Sequence, residues 1–348
     1  IEEYAQKAEF PKSIIKGLSE IGAFGPYIPT EYGGGGLDQI SYGLIMQEIE
    51  RGDSGVRSTA SVQSSLVMYP IYTFGSEEQR KKYLPKLASG EWMGCFGLTE
   101  PDHGSNPAGM VTNFKDAGDH VILNGAKMWI SNAPFADLAV VWAKDENGDI
   151  RGLVVERGME GFSTPETHSK WSLRASATGE LVFDNVKVPK ENRIGEDGFG
   201  FKFAMKTLTG GRIGIAAQAL GIASGAYELA LKYSKERKAF GTEISNHQAI
   251  QFKLADMATE IEAARLLCLK SAWQKDNKLD YNQSSSIAKL FASEVAMKTT
   301  VEAVQIHGGY GFVKEFHVER LMRDAKITQI YEGTSEVQRI VIARSILQ

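Results

Sequence analysis

The sequence has few residues that could cross-link a small fold through disulfides or bind a metal ion. Its 348 residues include two cysteines, Cys95 and Cys268, which are too few for a disulfide framework and show no metal-ligand spacing. No apolar run reaches the length of a transmembrane helix. The net charge of −4 gives no sign of a nucleic-acid partner. We therefore expect a protein of a reducing compartment, with no metal, no nucleic-acid partner and no stable membrane insertion.

Two further features are missing from the chain. No G-x-G-x-x-G fingerprint follows a predicted strand, which argues against dinucleotide binding of the Rossmann type. The chain also begins at Ile1 rather than at a methionine. We expect a segment that includes a first helix to be missing upstream of residue 1, so targeting stays open.

The chain is long and its composition is ordinary. With 43% hydrophobic and 24% charged residues, its 348 residues suffice for two or three packed units. Helical patterns fill residues 1–93 and 195–348, and short β patterns fill residues 94–194. Because no helices alternate with these strands, the sheet is predicted to be antiparallel. The predicted fold class is α+β, mainly α: an N-terminal helical domain, a central antiparallel β domain and a C-terminal four-helix bundle.

Apolar periodicity predicts the main elements of these domains. An early helix is predicted at 43–51, a hinge at 195–200, and long helices at about 201–235, 247–275, 284–305 and 337–347. Short β runs are predicted at 94–99, 121–123, 139–142, 152–155 and 181–183. Ser76 begins another helix as a capping residue.

The stretch 329–339 places a carboxylate on a turn. Thr334 or Ser335 can cap the following helix, and Ser335 with Gln338 fits a capping box. Glu332 then lies on a sharp loop between two helices, with Gly333 supplying backbone freedom. Such a carboxylate can act as a base on a bound ligand. It can equally be an ordinary acidic residue stabilised by the helix dipole.

The segment 53–65 is rich in small hydroxyl side chains. These can satisfy a buried polar ligand without crowding it, and Arg57 can pair with an anion. Close helix packing with Arg57 at the surface explains the pattern as well. Near 305–312, three glycines allow close approach of the backbone to a ligand. His307 beside them is expected to serve packing or hydrogen bonding.

Five motifs in this order resemble the acyl-CoA dehydrogenase family of flavoproteins over essentially the whole chain. They are Gly97-Leu98-Thr99-Glu100-Pro101, Trp129-Ile130-Ser131-Asn132, Arg237-Lys238-Ala239-Phe240-Gly241, Gln305-Ile306-His307-Gly308-Gly309-Tyr310-Gly311 and Tyr331-Glu332-Gly333-Thr334. Each motif alone is a weak signal, whereas their order along one chain is specific.

The resemblance implies that Glu332 is the catalytic base of an FAD enzyme. It would remove the α-proton of an acyl-CoA thioester, and the β-hydride would pass to FAD. Residues expected along the flavin are Phe96, Leu98, Thr99, Ser105, Trp129 and Ser131. Residues expected to hold the pyrophosphate and adenosine, largely those of a neighbouring subunit's FAD, are Arg237, Phe240, Gln248, Gln305, Gly308 and Gly309. Thr334 and Glu336 would reach the FAD of their own subunit.

The resemblance also implies a CoA channel. Ser105 would lie along the pantetheine path, with Phe201 and Met205 lining the channel. Arg212 would help to seat the loop around Glu332. Relatives of the short-chain type often carry an aspartate on the CoA side where this chain has Thr209, so that one contact is expected to be lost.

The two halves of the chain resemble different members of the family. Up to about residue 192 it resembles glutaryl-CoA dehydrogenase, in which Arg57 and Ser61, with Glu50 nearby, would meet the distal carboxylate of the substrate. From about Arg212 onward it is similar to short-chain, butyryl-type enzymes. We favour glutaryl-CoA, with oxidative decarboxylation to crotonyl-CoA, because the residues expected at the acyl tail lie in the first half. Butyryl-type dehydrogenation without decarboxylation is the alternative.

The resemblance implies partners as well. Electrons would pass to electron transfer flavoprotein, and the protein would be a homotetramer built as a dimer of dimers, in the bacterial cytoplasm or the mitochondrial matrix. Two other possibilities remain: an inactive CoA- and flavin-binding protein, and an oxidase that uses oxygen. An intact Glu332 argues against loss of activity.

Overall fold

The computed structural model describes residues 1–195 and 200–347, and the chain divides into two compact units that do not follow chain order. Unit 1 comprises Ile1–Asp38, Gly55–Lys170 and Arg174–Gly211. Unit 2 comprises Gln39–Ser54, Trp171–Leu173 and Arg212–Gln348. Most of the predicted hinge at 195–200 lies outside the described residues.

Helices dominate both units. The α-helices are α1 Glu2–Lys7, α2 Ile14–Glu20, α3 Gln39–Gly52, α4 Ser54–Ser61, α5 Tyr69–Phe74, α6 Glu77–Ala88, α7 Gly200–Glu236, α8 Gln248–Asp276, α9 Asn282–His307, α10 Val318–Thr328 and α11 Ser335–Ile346. The strands are β1 Gly94–Gly97, β2 Asn113–Asp116, β3 His120–Ser131, β4 Leu138–Lys144, β5 Ile150–Glu156, β6 Phe162–Ser163, β7 Thr178–Pro189, β8 Arg193–Ile194, β9 Lys238–Ala239 and β10 Thr242–Glu243.

Unit 1 is built on one sheet with the strand order β6-β7-β3-β2-β4-β5-β8, and β1 pairs with β4. The long pairings β3–β7 and β4–β5 are antiparallel, as predicted. The β1–β4 pairing is parallel, however, with Gly94 opposite Leu138. The chain returns to β4 after two intervening strands rather than through a tight hairpin, so β1 and β4 run the same way.

Strand β4 is buried on both faces because it lies between two apolar cores. Leu138, Val140 and Trp142 pack in a core shared with the N-terminal helices of unit 1. The alternate residues Ala139 and Val141 pack in a second core on the opposite face. The period of two therefore divides side chains between the cores instead of between core and solvent.

Two local features shape the helices of unit 1. Ser76 and Gln79 form a capping box at the start of α6, which confirms the predicted helix start. The Ser-rich segment is less regular: between α4 and α5 the chain forms a π-helix over Val62–Met68. Single-turn π segments inside helices are uncommon and occur often at functional sites.

Unit 2 is a set of long helices around an alanine-rich core, with α3 among them. Alanines such as Ala219, Ala223 and Ala292 let the helix backbones approach closely. Helix α7 is long and apolar enough to cross a membrane, but 83% of its most apolar window is buried inside the protein, as in a core helix. The four predicted long helices are all present, within five residues at each end. The helical segment expected before Glu332, for which the sequence interpretation gave no bounds, is α10, whose Val318, Leu321 and Ala325 face the core.

Candidate active site

The turn that carries Glu332 joins α10 to α11 in unit 2, as predicted. Glu332 and Gly333 both have left-handed backbones, with φ of +52° and +89°. Glycine adopts this conformation freely, but a glutamate is strained in it. Thr334 caps α11 by accepting a hydrogen bond from the Val337 N–H at 3.3 Å. The surrounding structure must therefore hold Glu332 in an unfavourable conformation.

The predicted capping box between Ser335 and Gln338 is wrong. Ser335 is the first residue of α11, and its hydroxyl donates to the Glu294 carboxylate at 2.9 Å. The Gln338 amide instead donates back to the carbonyl oxygens of Glu332 at 3.1 Å and Gly333 at 2.9 Å. The left-handed turn brings these two carbonyls within reach of the α11 side chain, so the glutamine fixes the turn rather than the helix start.

Two further contacts hold the same turn. Lys289, fully buried on α9, donates from Nζ to the Gly333 carbonyl at 2.7 Å. The Tyr331 hydroxyl donates to the side chain of Gln218, which is fully buried on α7. Helices α7, α9 and α11 thus each contribute a side chain to the loop between α10 and α11.

Cations surround the Glu332 carboxylate. Burial lowers the pKa of Arg212. The negative charge of Glu332 partly opposes this shift because it stabilises the charged guanidinium. Arg212 is oriented on α7 by hydrogen bonds from its Nη1 to Asn282 at 2.9 Å and Ser286 at 3.0 Å. Burial likewise lowers the pKa of Lys289 to about 8, and the Glu332 carboxylate is the strongest influence that favours its charged form. Arg212 is thus an electrostatic neighbour of Glu332, and its expected part in seating this loop stays a prediction.

In unit 1, a β-bulge presents Trp129 to solvent. The register of β3 against β7 shifts between Lys127 and Ile130, and Trp129 within this shift has φ of +63°. The extra residue breaks the alternation of the strand, so the indole projects outward and is 60% exposed. Ser131, half-buried, ends the strand. The bulge is anchored by the buried Asn132, which donates to the carbonyls of Thr59 and Gly94.

The segment after β1 is pinned to the same strand. The Met128 N–H donates to the Thr99 carbonyl at 2.9 Å. The buried Lys127 ammonium donates to the Leu98 carbonyl at 3.2 Å and to the Glu100 carboxylate at 2.8 Å. Burial favours the neutral acid, but the hydrogen bonds from Lys127 and from backbone N–H groups outweigh it and lower the pKa of Glu100.

The predicted flavin residues of this segment differ in exposure. Phe96 and Leu98 are buried in the core that includes Trp142, so their side chains are committed to packing. Thr99 is half-buried, and Ser105 is exposed on the loop that follows. The part of Phe96 and Leu98 best placed to meet a ligand is therefore the backbone.

In unit 2, three of the six residues predicted to hold the pyrophosphate and adenosine line one cavity of about 520 Å³. Arg237, Gly308 and Gly309 line it together with Tyr310, over whose ring the Arg237 guanidinium lies at 5.4 Å. A Cβ added at either glycine would meet nothing within 4 Å, so a ligand can approach the backbone closely there. His307 beneath them stacks on Tyr233 at 4.2 Å, which confirms its expected packing role.

Three other predicted nucleotide residues of unit 2 are exposed. Phe240 is 98% exposed, with φ of +53°, at the turn of the β9–β10 hairpin. Gln248 is the first residue of α8, and Gln305 lies in the last turn of α9. A phenylalanine held so far from any core has its contact surface free for a ligand or another chain.

The residues expected to contact the substrate or CoA lie on helices and differ in burial. Glu50 is fully buried on α3 in unit 2 and accepts a hydrogen bond from the Ser54 hydroxyl. In unit 1, Arg57 is 1% exposed and Ser61 is 4% exposed, both on α4. The structure thus excludes the interpretation of Arg57 as a surface residue. Phe201 and Met205, half-buried on α7, pack against the helical core of unit 1. Thr334 is half-buried and Glu336 is exposed, both at the start of α11.

Comparison with known proteins identifies the family. Residues 1–91, 95–186 and 198–347 match the N-terminal, middle and C-terminal domains of acyl-CoA dehydrogenases. The chain belongs to the acyl-CoA dehydrogenase family. Members of this family bind FAD, and a β-bulge with an exposed indole and a cavity beside two open glycines are features that suit a flavin dinucleotide.

Individual relatives in the acyl-CoA dehydrogenase family are similar over nearly their whole length. Probable acyl-CoA dehydrogenase YngJ of Bacillus subtilis is 46% identical, covering 100% of this chain and 93% of that protein. Subunit CarC of the caffeyl-CoA reductase-Etf complex of Acetobacterium woodii is 45% identical, covering 100% and 93%.

Solved structures of acyl-CoA dehydrogenases superimpose closely. Butyryl-CoA dehydrogenase from Megasphaera elsdenii has a TM-score of 0.97 and 46% identity, covering 100% of this chain and 93% of that chain. A glutaryl-CoA dehydrogenase from Mycobacterium smegmatis in complex with FADH2 has a TM-score of 0.96 and 40% identity, covering 99% and 89%.

Sequence reasoning missed the groups that hold the turn. Lys289 and Gln338 lie inside predicted helices, where a lysine or glutamine is usually solvated, and Gln218 is similarly inconspicuous. A helical projection offers one signal, because Lys289 shares a face with the small residues Ser285, Ala292 and Ser293 of α9, which are all buried.

Proposed function

We propose that Glu332 is the catalytic base of an FAD-dependent dehydrogenation of acyl-CoA thioesters. The observation that carries this role is a carboxylate held on a strained left-handed turn beside two buried cations. Residual strain of this kind persists only where surrounding contacts impose it, and it clusters at functional sites. Acyl-CoA dehydrogenase activity itself follows from membership of the family.

Each part of the turn then has a chemical task. The carboxylate of Glu332 removes the proton from the carbon next to the thioester, and the Glu332 backbone N–H donates to the thioester oxygen as it gains negative charge. FAD, when bound, supplies the acceptor for the β-hydride. Arg212, Lys289 and Gln338 keep the turn in place, so the geometry needs no rearrangement during proton transfer.

Two sets of residues would hold FAD. The bulge and loop residues of unit 1 are placed to flank the flavin: Phe96, Leu98, Thr99, Ser105, Trp129 and Ser131. The residues of unit 2 would hold the pyrophosphate and adenosine: Arg237, Phe240, Gln248, Gln305, Gly308 and Gly309, with Thr334 and Glu336 for the FAD of the same subunit. The exposure of Phe240 supports a shared site between subunits of a homotetramer. Electron transfer flavoprotein is the proposed electron acceptor, which the name of the Acetobacterium woodii relative supports.

For the substrate we favour glutaryl-CoA because Arg57 is buried. A buried guanidinium selects strongly for a carboxylate, which it can bind through two parallel hydrogen bonds. Ser61 and Glu50 would complete that end of the site. After oxidation the γ-carboxylate would leave as CO₂, and the proton returned to the γ-carbon would complete crotonyl-CoA.

A butyryl-type substrate is the second candidate. The chain is 46% identical to butyryl-CoA dehydrogenase and 40% identical to the glutaryl-CoA dehydrogenase over similar spans. In that case the substrate would offer no carboxylate to Arg57, and no CO₂ would form.

A substrate panel separates the two candidates. Purified holoenzyme is assayed with glutaryl-CoA and butyryl-CoA, with electron transfer flavoprotein as acceptor and with CO₂ measured. We expect faster turnover of glutaryl-CoA, which Arg57→Ala lowers by 100-fold or more while Arg51→Ala, an exposed arginine on α3, does not. Equal or faster turnover of butyryl-CoA that is insensitive to Arg57→Ala would reject glutaryl-CoA. Oxygen consumption in the same assay tests for an oxidase.

The role of Glu332 is tested by spectroscopy. Glu332→Gln should keep bound FAD and bind acyl-CoA, but lose the bleaching of the flavin band by substrate, because an amide cannot take the α-proton. Glu315→Gln, at an exposed position in a short 3-10 helix, serves as the control. Normal bleaching in Glu332→Gln would remove Glu332 from its role, and a yellow wild type that acyl-CoA does not bleach would favour an inactive CoA- and flavin-binding protein.

A further inference from the structure

The conformation of the Glu332 turn is imposed from outside the turn. A Cβ at position 333 would come within 2.7 Å of the Gln338 amide nitrogen, so the glutamine is packed directly against the backbone. Its amide and the Lys289 ammonium both donate to the Gly333 carbonyl, at 2.9 and 2.7 Å. Two donors on one carbonyl fix the plane of the peptide that joins Gly333 to Thr334.

These two donors differ in charge. Gln338 is neutral, and its amide satisfies the carbonyls of Glu332 and Gly333 without further cost. Lys289 brings a full charge into a buried position on α9, and a buried charge is costly unless something compensates for it. A hydrogen bond to a carbonyl alone does not require an ammonium. The charge must therefore have another use.

The charged groups around Lys289 indicate that use. In order of influence they are the Glu332 carboxylate, Arg212 from α7, Glu294 from α9 and Glu336 from α11. Tyr281 lies close enough to Arg212 to act on it as well. Glu332 is the largest of these influences, so Lys289 and Glu332 stabilise each other's charged forms.

We propose that Lys289 is a positioning residue for proton abstraction, which holds the Glu332–Gly333 turn through the Gly333 carbonyl and tunes the proton affinity of Glu332 through its charge. The proposal rests on the proposed role of Glu332 as the base. A cation close to the carboxylate keeps Glu332 ionised at lower pH, which widens the acid side of the working range. Arg212 acts in the same direction from α7.

The pH dependence of turnover tests this role because a purely structural lysine would not move it. Holoenzymes of Lys289→Gln, Lys289→Arg and Gln338→Leu are assayed for kcat/KM with an acyl-CoA and an artificial electron acceptor. Lys289→Gln should lower turnover about tenfold or more and move the acid limb up by about one pH unit, because Glu332 loses a cationic neighbour. Lys289→Arg should keep the wild-type limb. Gln338→Leu should lower turnover without moving the limb.

An unchanged acid limb in Lys289→Gln, or an equal shift in Gln338→Leu, would overturn the proposal. If Lys289→Gln does not retain FAD, Lys289→Met replaces it, since an apolar chain of similar length suits a buried site, and the same shift is expected. Glu332→Gln separates the two hypotheses: normal turnover in that variant rejects Glu332 as the base, whereas a failure of Lys289 alone leaves the proposed function standing.

Discussion

Each unit places a fully buried lysine beneath a segment that we assign to the site, and the two lysines work differently. Lys127 in unit 1 lies 2.8 Å from the Glu100 carboxylate, which also accepts hydrogen bonds from the N–H groups of Val111 and Thr112. Lys289 in unit 2 instead donates to a backbone carbonyl, and its charge acts on Glu332. Burial lowers the pKa of each lysine to about 8.

The difference separates a structural ion pair from a group that acts on chemistry. Glu100 has no task in the proposed reaction, so its pair with Lys127 fixes the 98–100 segment against β3 and nothing more. Glu332 must change its protonation state, so a tight ion pair with Lys289 would oppose its function. A cation that contacts the backbone of the turn can support the base without neutralising it.

The largest expected effect would come from breaking the ion pair of unit 1. Lys127→Met leaves Glu100 buried without its cation, which should cost about 3–5 kcal/mol of the unfolding free energy. Urea unfolding measures it. The double variant Lys127→Met/Glu100→Leu should recover most of the loss, because no unpaired charge remains. Equal losses in the single and double variants would show that packing, not charge, matters at this site.

Removing the lysine of unit 2 should have the opposite sign. In the unfolded chain Lys289 has a pKa near 10.4, so between pH 8 and about 10.4 the unfolded state holds a proton that the folded state has lost. The contribution of Lys289 to the free energy of unfolding therefore rises with pH across that window, by up to about 3 kcal/mol.

Lys289→Met should accordingly be more stable than the wild type at pH 7 and lose part of this slope, while turning over more slowly. Lys127 titrates in the same window, so the informative quantity is the difference between wild type and variant in urea unfolding at pH 7, 8, 9 and 10. If Lys289→Met is less stable than the wild type at pH 7, both lysines stabilise the fold and the proposed difference between them is wrong.

The smallest expected effect concerns the turn itself. Gly333→Ala forces a Cβ into a left-handed position and against Gln338, which should cost about 1–2 kcal/mol and lower turnover. Gly22→Ala is the matched control, because Gly22 has φ of +72° and open space around it. It should cost about 1 kcal/mol and leave turnover unchanged. Similar turnover of the two variants would indicate that the Gln338 side chain moves aside for the added Cβ without affecting the turn.

Periodicity and turn chemistry predicted much of this architecture. The strands at 94–99 and 139–142 and the position of Glu332 between two helices followed from local patterns, which depend on neighbours in sequence. The bounds of α10 were not predicted because its many charged residues, Glu319, Arg320, Arg323 and Asp324, obscure the hydrophobic side that faces the core. The parallel β1–β4 pairing was missed because pairing between distant strands leaves no local signature.

The contacts that hold the site could not be predicted either, because contacts between distant residues leave no local signature in the sequence. Trp129 could be identified as a candidate from its motif, but not the bulge that exposes it, since the bulge is a register shift against β7. The capping pattern of Ser335 and Gln338 was misleading because Ser335 makes a tertiary hydrogen bond to Glu294 instead. Lys289 meets Gly333 across 44 residues, a separation at which sequence spacing carries no geometric information.

The π-helix at Val62–Met68 has a consequence for how the substrate pocket could diverge. A π turn holds more residues than an α turn, so one deleted residue within it could be absorbed by a return to regular α geometry. Arg57 and Ser61 would then be rotated about the helix axis by roughly 100° relative to the residues after Met68. A length change in this segment could thus redirect a buried guanidinium without replacing any side chain that surrounds it.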